Sequence, residues 1–225
     1  MNMIARRAPT PIARGMHTRR KSRYGAGMTR RGWLGAALMV MLATAGTASP
    51  AASDGRKSMA AEQAAGDAYQ FEFTSIEGDR LPFSAWKGKP VLVVNTASFC
   101  GYTPQFRELE ALWKQYREKG LVVLGVPSND FGQQEPGTAS EIKQFCTTNY
   151  DVDFPMTEKY RVVGGEAHPF YRWVAANLGE AGAPRWNFHK YLVGPDGELA
   201  GSWPSSVKPS DKAITGEIDT ALSKK

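Results

Sequence analysis

Two cysteines in a chain of 225 residues leave little room for structural sulfur chemistry. They are too few for a disulfide scaffold and too few for a metal site built from thiolates alone. One bridge remains possible, structural or catalytic, and the residues around Cys100 and Cys146 must decide which. Histidine is nearly as scarce. Neither His168 nor His189 has a second histidine at metal-ligand spacing, so packing or surface roles are expected for both. No metal site is expected, and no cofactor. No internal repeat occurs, and no CxxC pair is present to suggest a disulfide reductase. The apolar run from Trp33 to about Ala45 falls short of the roughly 20 residues that span a bilayer.

Acidic residues are missing from the first 31 positions, which hold nine Lys or Arg. The rest of the chain holds 19 basic and 22 acidic side chains. The net charge of +6 therefore belongs to the leader, and the remainder makes no electrostatic case for binding nucleic acid. Within residues 28–53, Arg30 and Arg31 precede the apolar run, and small residues follow it. That is the three-part pattern of a secretory signal. The segment TRRGWLG is similar to a twin-arginine export signal, with Trp33 and Gly35 as departures from it. Ala45 and Ala48 each have a small residue two positions earlier and are candidate cleavage points. No cysteine follows the apolar run, which argues against a lipid-modified anchor. The expected division is a leader over 1–48, an Ala-, Ser- and Gly-rich disordered tether over 49–67, and one domain over 68–225. Export to the periplasm would place both cysteines where a disulfide can persist.

Within the domain, Phe71 and Phe73 alternate with polar residues and predict a short edge strand. VLVVN after Pro90 and LVVLGV at 121–126 are continuous apolar runs, as in strands buried on both faces. Between them, apolar residues at 106, 109, 112, 113 and 116 have helical spacing, with Pro104 suited to the first turn and Gly120 to the stop. Further helices are expected over 139–149, 168–178 and 210–222. HKYLVGPDGELAGSW predicts a strand, a turn at 195–197 and a returning strand. A parallel βαβ unit joined to an antiparallel hairpin gives an α/β fold with a mixed central sheet flanked by helices, the thioredoxin-like layout.

Cys100 stands between the end of a buried strand and the start of a helix. Ligands collect at the carboxyl ends of strands in open sheets. Unpaired N–H groups at a helix N-terminus favour a thiolate, which is the attacking form of cysteine. Position alone leaves an inert core cysteine open as the alternative.

Three segments sharpen this reading. NTASFCGYTPQ at 95–105, VPSNDFGQQEPG at 126–137 and RWNFHKYLV at 185–193 resemble, in order and spacing, the motifs of the glutathione peroxidase family. The resemblance covers about residues 68–222. It implies that Cys100 is the peroxidatic residue, that Gln134 is the catalytic glutamine, and that Trp186 and Asn187 are its Trp-Asn pair. Amide and indole N–H groups can orient a peroxide and hold charge on sulfur. Cys146, in QFCTTNY, resembles the resolving cysteine of the thioredoxin-dependent members. The implied cycle takes Cys100 to a sulfenic acid, then to a Cys100–Cys146 disulfide, which a thioredoxin-like protein dithiol reduces. Glutathione ranks below that donor. The substrate is expected to be hydrogen peroxide or an organic or lipid hydroperoxide. Membrane contact is expected only through the leader or in passing with lipid hydroperoxides. The short link from Leu178 to Arg185 favours a monomer.

Two departures stand out. Asp130 replaces a common glutamine, and a carboxylate near the pocket would oppose a thiolate, so it is expected to point outward or meet a cation. Ser128 replaces a frequent extra cysteine. Two other classes remain: a periplasmic thiol-disulfide exchange protein, and an exported non-catalytic binding protein held by a structural disulfide.

Overall fold

The structure, a computed structural model, describes residues 65–179 and 182–224. The expected leader and nearly all of the expected tether lie outside the described residues. The last two tether positions are already bonded to the domain. Trp173 Nε1 donates to the Gly66 carbonyl at 3.1 Å, and Asp67 caps a short turn over Ala68–Gln70 by accepting from Tyr69 N–H.

Among the described residues, six strands form two sheets. β1 (Glu72–Thr74) and β2 (Arg80–Pro82) pair antiparallel as a small separate sheet. β3 (Val91–Thr96) lies parallel to β4 (Val122–Pro127). On its other side β3 pairs antiparallel with β5 (Lys190–Val193), which pairs with β6 (Leu199–Trp203). The order β4-β3-β5-β6 is the mixed sheet expected of a thioredoxin-like fold. Both sequence-predicted buried strands are buried at every position.

Four α-helices of the described residues cover this sheet, and strand alternation divides their contacts. Leu92, Val94 and Leu192 face one apolar cluster with α1 (Gln105–Tyr116), α2 (Ala139–Tyr150) and α4 (Lys212–Ser223). Val91, Val93, Tyr191 and Val193 face the other, with Phe170, Trp173 and Val174 of α3 (Pro169–Leu178). Local chemistry sets the helix ends. Thr138 and Glu141 form a reciprocal capping box at the start of α2, satisfying two N–H groups that would lack partners. The chain leaves α1 through Gly120, whose φ of 112° suits a residue without a Cβ.

Lys190 is a charged residue within an apolar strand, and it is fully buried. Its Nζ donates to Gln105 Oε1 and to the Val207 carbonyl. Burial lowers its pKa to about 7, against an opposing pull from Glu108. The lysine ties β5 to the first turn of α1 and to the loop after β6, which are the elements around Cys100.

The two expected packing histidines are buried. His168 stacks on Phe73 with ring centroids 3.9 Å apart. Its Nδ1 accepts from Phe170 N–H at 3.3 Å and its Nε2 lies 2.9 Å from the Glu72 carbonyl. An Nδ1 that accepts cannot also carry a proton, so the ring is neutral. Burial brings His168 and His189 from the ordinary 6.5 to about 4. Because these folded values are depressed, the unfolded chain takes up protons first as pH falls. Their contribution to stability is present above about 6.5 and is lost down to about 4. Urea midpoints should therefore decline across that window. His168→Asn, which keeps a capping oxygen, should decline less, and identical slopes would exclude His168 as a source.

Candidate active site

The Cys100 loop is set by Thr103. Its Oγ1 accepts from Cys100 N–H at 3.0 Å and donates to the Ala97 carbonyl at 3.0 Å. Tyr102 N–H points at the sulfur, with N···Sγ at 3.4 Å. The sequence places Cys100 at a helix N-terminus, but α1 proper begins at Gln105. The donor that reaches the sulfur belongs to the turn ahead of the helix. Cys100 is 7% exposed, so the sulfur is sheltered but open to a small reactant.

Gln134 reaches this loop through a sharp turn. Gly132 and Gln133 both have positive φ, 65° and 53°, which reverses the chain just before it. Phe99 N–H, adjacent to Cys100, donates to the Gln134 carbonyl at 3.0 Å. Asn187 is fully buried, and its Nδ2 donates to Gln134 Oε1 at 3.0 Å. Asn187 Oδ1 has no hydrogen-bond partner.

Trp186 and Asn187 are placed by Asn95, at the end of β3. Asn95 Nδ2 donates to the Trp186 carbonyl at 3.1 Å. Its Oδ1 accepts from His189 N–H at 3.1 Å, and its carbonyl accepts from Phe188 N–H at 2.6 Å. Phe188 has a φ of 63°, unusual for a bulky residue, and these bonds hold it there. Asn95 is a site residue that the sequence reading passed over. Its signal was a lone amide closing the apolar run VLVVN.

Trp186 is less enclosed than a solvent-limiting indole would be, at 40% exposed. It packs on Phe131 at 5.9 Å between centroids. Trp186 and Tyr102 both line a groove of about 650 Å³ that also takes in Arg185 and Ser205. Cys146 lies on α2 at 1% exposure, in the same apolar cluster as Cys100. Burial, then the Glu135 carboxyl, pushes its thiol up to about 12. Both cysteines are free thiols in this structure. The structure thus bonds Gln134 to Asn187, brings Trp186 and Tyr102 to one groove, and joins the Gln134 and Cys100 loops through Phe99. Cys146, on α2, shares the apolar cluster of Cys100.

Asp130, the unexplained carboxylate, is engaged by the 161–163 loop. Its Oδ2 accepts from Val162 N–H at 2.6 Å and Val163 N–H at 3.2 Å, and Arg161 Nε lies 3.7 Å from Oδ1. It pins the 161–163 loop and meets a cation, one of the two outcomes expected. Ser128 is fully buried at the end of β4.

Comparison with known proteins identifies the family. The glutathione peroxidase family model matches residues 68–175. The glutathione peroxidase-like peroxiredoxin 2 of Saccharomyces cerevisiae is 44% identical over 160 residues, covering 69% of this chain and 97% of that protein. The chain belongs to the glutathione peroxidase family. It is an enzyme of the peroxiredoxin-like branch with a cysteine-based active site. The hydroperoxy fatty acid reductase gpx1 of Synechocystis is 42% identical over 168 residues, covering 71% of this chain and 98% of that protein. Among solved structures, apo Trgpx has a TM-score of 0.58 at 34% identity, covering 71% of this chain and 97% of that one. A thiol:disulfide interchange protein of Chlorobium tepidum, with a TM-score of 0.51 at 18% identity over 69% of this chain and 95% of that one, shares the fold.

Removing the Asp130 carboxylate would leave two partly buried N–H groups without their acceptor. Asp130→Ala should lower stability by about 2 kcal/mol, read from urea unfolding. A loss below about 0.5 kcal/mol would show that water replaces the carboxylate there.

Proposed function

We propose that this family member reduces hydroperoxides through a sulfenic acid on Cys100 and a Cys100–Cys146 disulfide. The observation that carries the reading is the Gln134–Asn187 pair, hydrogen-bonded at 3.0 Å and tied by Phe99 N–H to the Cys100 loop. The Cys100 sulfur attacks the terminal peroxide oxygen. The O–O bond breaks, the alcohol leaves with a proton, and Cys100 becomes a sulfenic acid. Gln134, Asn187 and the Trp186 indole are assigned to orient the peroxide and hold the developing charge.

Cys146 then attacks the oxidised sulfur, releasing water and closing the bridge. A disulfide needs Cα atoms about 4.4–6.8 Å apart, and Cys146 is buried on α2, so α2 opens locally in this step. The donor we assign is a thioredoxin-like dithiol, with glutathione second, because an internal resolving thiol makes an intramolecular disulfide the species to be reduced. The peroxiredoxin names of the yeast relatives support that order. The broad groove beside Trp186, the exposed Phe99 and the name of the Synechocystis relative support lipid hydroperoxides alongside hydrogen peroxide. The arginine pair and apolar run of the leader support export to the periplasm, by the twin-arginine route. The short 178–185 link supports a monomer.

Stopped-flow oxidation followed by donor addition tests the cycle. Cys100→Ser should consume no peroxide. Cys146→Ser should oxidise once, then turn over at least tenfold more slowly with a thioredoxin-like donor. Equal turnover in that variant would remove the two-cysteine cycle. Cell fractionation with N-terminal sequencing tests export, and an intact leader on cytoplasmic protein would refute it.

A further inference from the structure

Glu135 follows the catalytic glutamine, yet the cycle above does not use it. It is fully buried; the Ser98 hydroxyl and N–H lie near enough to its carboxyl to favour the charged form, but neither carboxyl oxygen has a hydrogen bond of good geometry. Its backbone is held firmly. Asn129 Oδ1 accepts its N–H at 2.8 Å, and Lys159 Nζ donates to its carbonyl at 3.1 Å and to that of Gly137 at 2.8 Å. Lys159 thus grips the loop backbone, and no cation pairs with the Glu135 carboxyl itself. A carboxyl buried without a partner is costly and calls for a chemical reason.

Its surroundings suggest one. Glu135 lines a groove of about 460 Å³ with Ser98 and Phe99 from the Cys100 loop on one wall, and Ile142 and Phe145 from α2 on the other. Those walls carry the two cysteines. Ser98 is 7% exposed, and its Oγ approaches the Glu135 carboxyl without a well-formed hydrogen bond. The charged or titratable groups that act here are Lys159, Glu141 at the start of α2, and the Cys146 thiol. Glu141 is engaged in the Thr138 cap. Cys146 is protonated where it rests, since burial and the Glu135 carboxyl both oppose its thiolate. A protonated thiol is a poor nucleophile.

Resting on the two-cysteine reading, we propose that Glu135 is the proton acceptor for the Cys146 thiol during bridge formation. As α2 loosens, the Cys146 proton passes to the Glu135 carboxylate. The sulfur forms a bond to the Cys100 sulfur, and the S–O bond of the sulfenic acid breaks with its electron pair leaving on oxygen. That hydroxide takes the proton back from Glu135 and departs as water. Burial raises Glu135 to about 7, against opposing effects of Ser98 and Lys159. The carboxylate form therefore grows in as pH rises through neutrality, where an acid–base group is most effective.

The test is single-turnover oxidation of the reduced protein by one equivalent of hydrogen peroxide between pH 5 and 9. Sulfenic acid is trapped with dimedone, and the bridge is counted by mass spectrometry. In the wild type, bridge formation should rise through about pH 7 and then level off. In Glu135→Gln it should fall about tenfold relative to the sulfenic-acid step at neutral pH. It should then keep rising to high pH without a plateau, as direct ionisation of Cys146 takes over. Glu135→Asp should recover part of the neutral rate and the plateau. A Glu135→Gln profile matching the wild type would overturn the proposal. A wild-type profile with no inflection near 7 would overturn it even if Glu135→Gln failed to fold. Absence of any bridge in the wild type would instead sink the two-cysteine cycle and leave its sulfenic acid standing alone.

Discussion

The hydrogen bonds of Asn95 hold the active-site end of the molecule together. Past Val94 the regular pairing of β3 with β5 ends, so backbone groups of the incoming 186–189 segment would be left without ladder partners. Asn95 uses both ends of its side-chain amide and its own carbonyl to take up Trp186, Phe188 and His189. Buried backbone groups must find partners, and here one side chain supplies them. Because the Trp186 and Asn187 positions descend from that arrangement, the contact between Asn187 and Gln134 depends on it. The site is an extension of β3, built at the point where regular pairing stops.

Buried polar groups then divide into two kinds. Lys190 is buried but fully engaged, bonded to Gln105 and the loop after β6. His168 is buried, neutral and bonded at both ring nitrogens. Asp130 has two N–H donors and a nearby guanidinium. Each of these organises structure around a loop. Glu135, Ser98 and the Oδ1 of Asn187 have no such partners, and all three belong to the segments that converge near Cys100. Trp113 Nε1 and Tyr171 OH are also unpaired, away from this site, so what sets Glu135 apart is its carboxyl charge and its place between the two cysteine-bearing segments.

Much of the fold could be read before the structure. The long elements were legible because their patterns are strong. VLVVN and LVVLGV are unbroken apolar runs, and 105–116 carries helical spacing between Pro104 and Gly120. Observed bounds differ by about two residues, as at α4, which begins at Lys212 rather than near Ser210. The β1–β2 pair was only half legible, because three-residue strands carry too little alternation to stand out. In the site, Cys100, Gln134, Trp186, Asn187 and Cys146 were legible through motif resemblance. Asn95 and Glu135 were not, since an amide and a carboxyl acquire meaning only from what surrounds them.

Taken alone, the sequence determined the sulfur. Its two cysteines, the lack of a CxxC pair and the three motifs point to Cys100 as the reactive group, because composition and local order are properties of the chain itself. It also set the layered α/β plan, since hydrophobic period is local. Only the tertiary structure decided which way the carboxyls point. Asp130, four residues before the motif glutamine, turns out to bind the 161–163 loop, while Glu135, directly after it, turns inward between the two cysteine-bearing segments. Neighbouring residues on a loop face different directions, and the cost or use of a charge depends on the burial and partners that folding assigns to it.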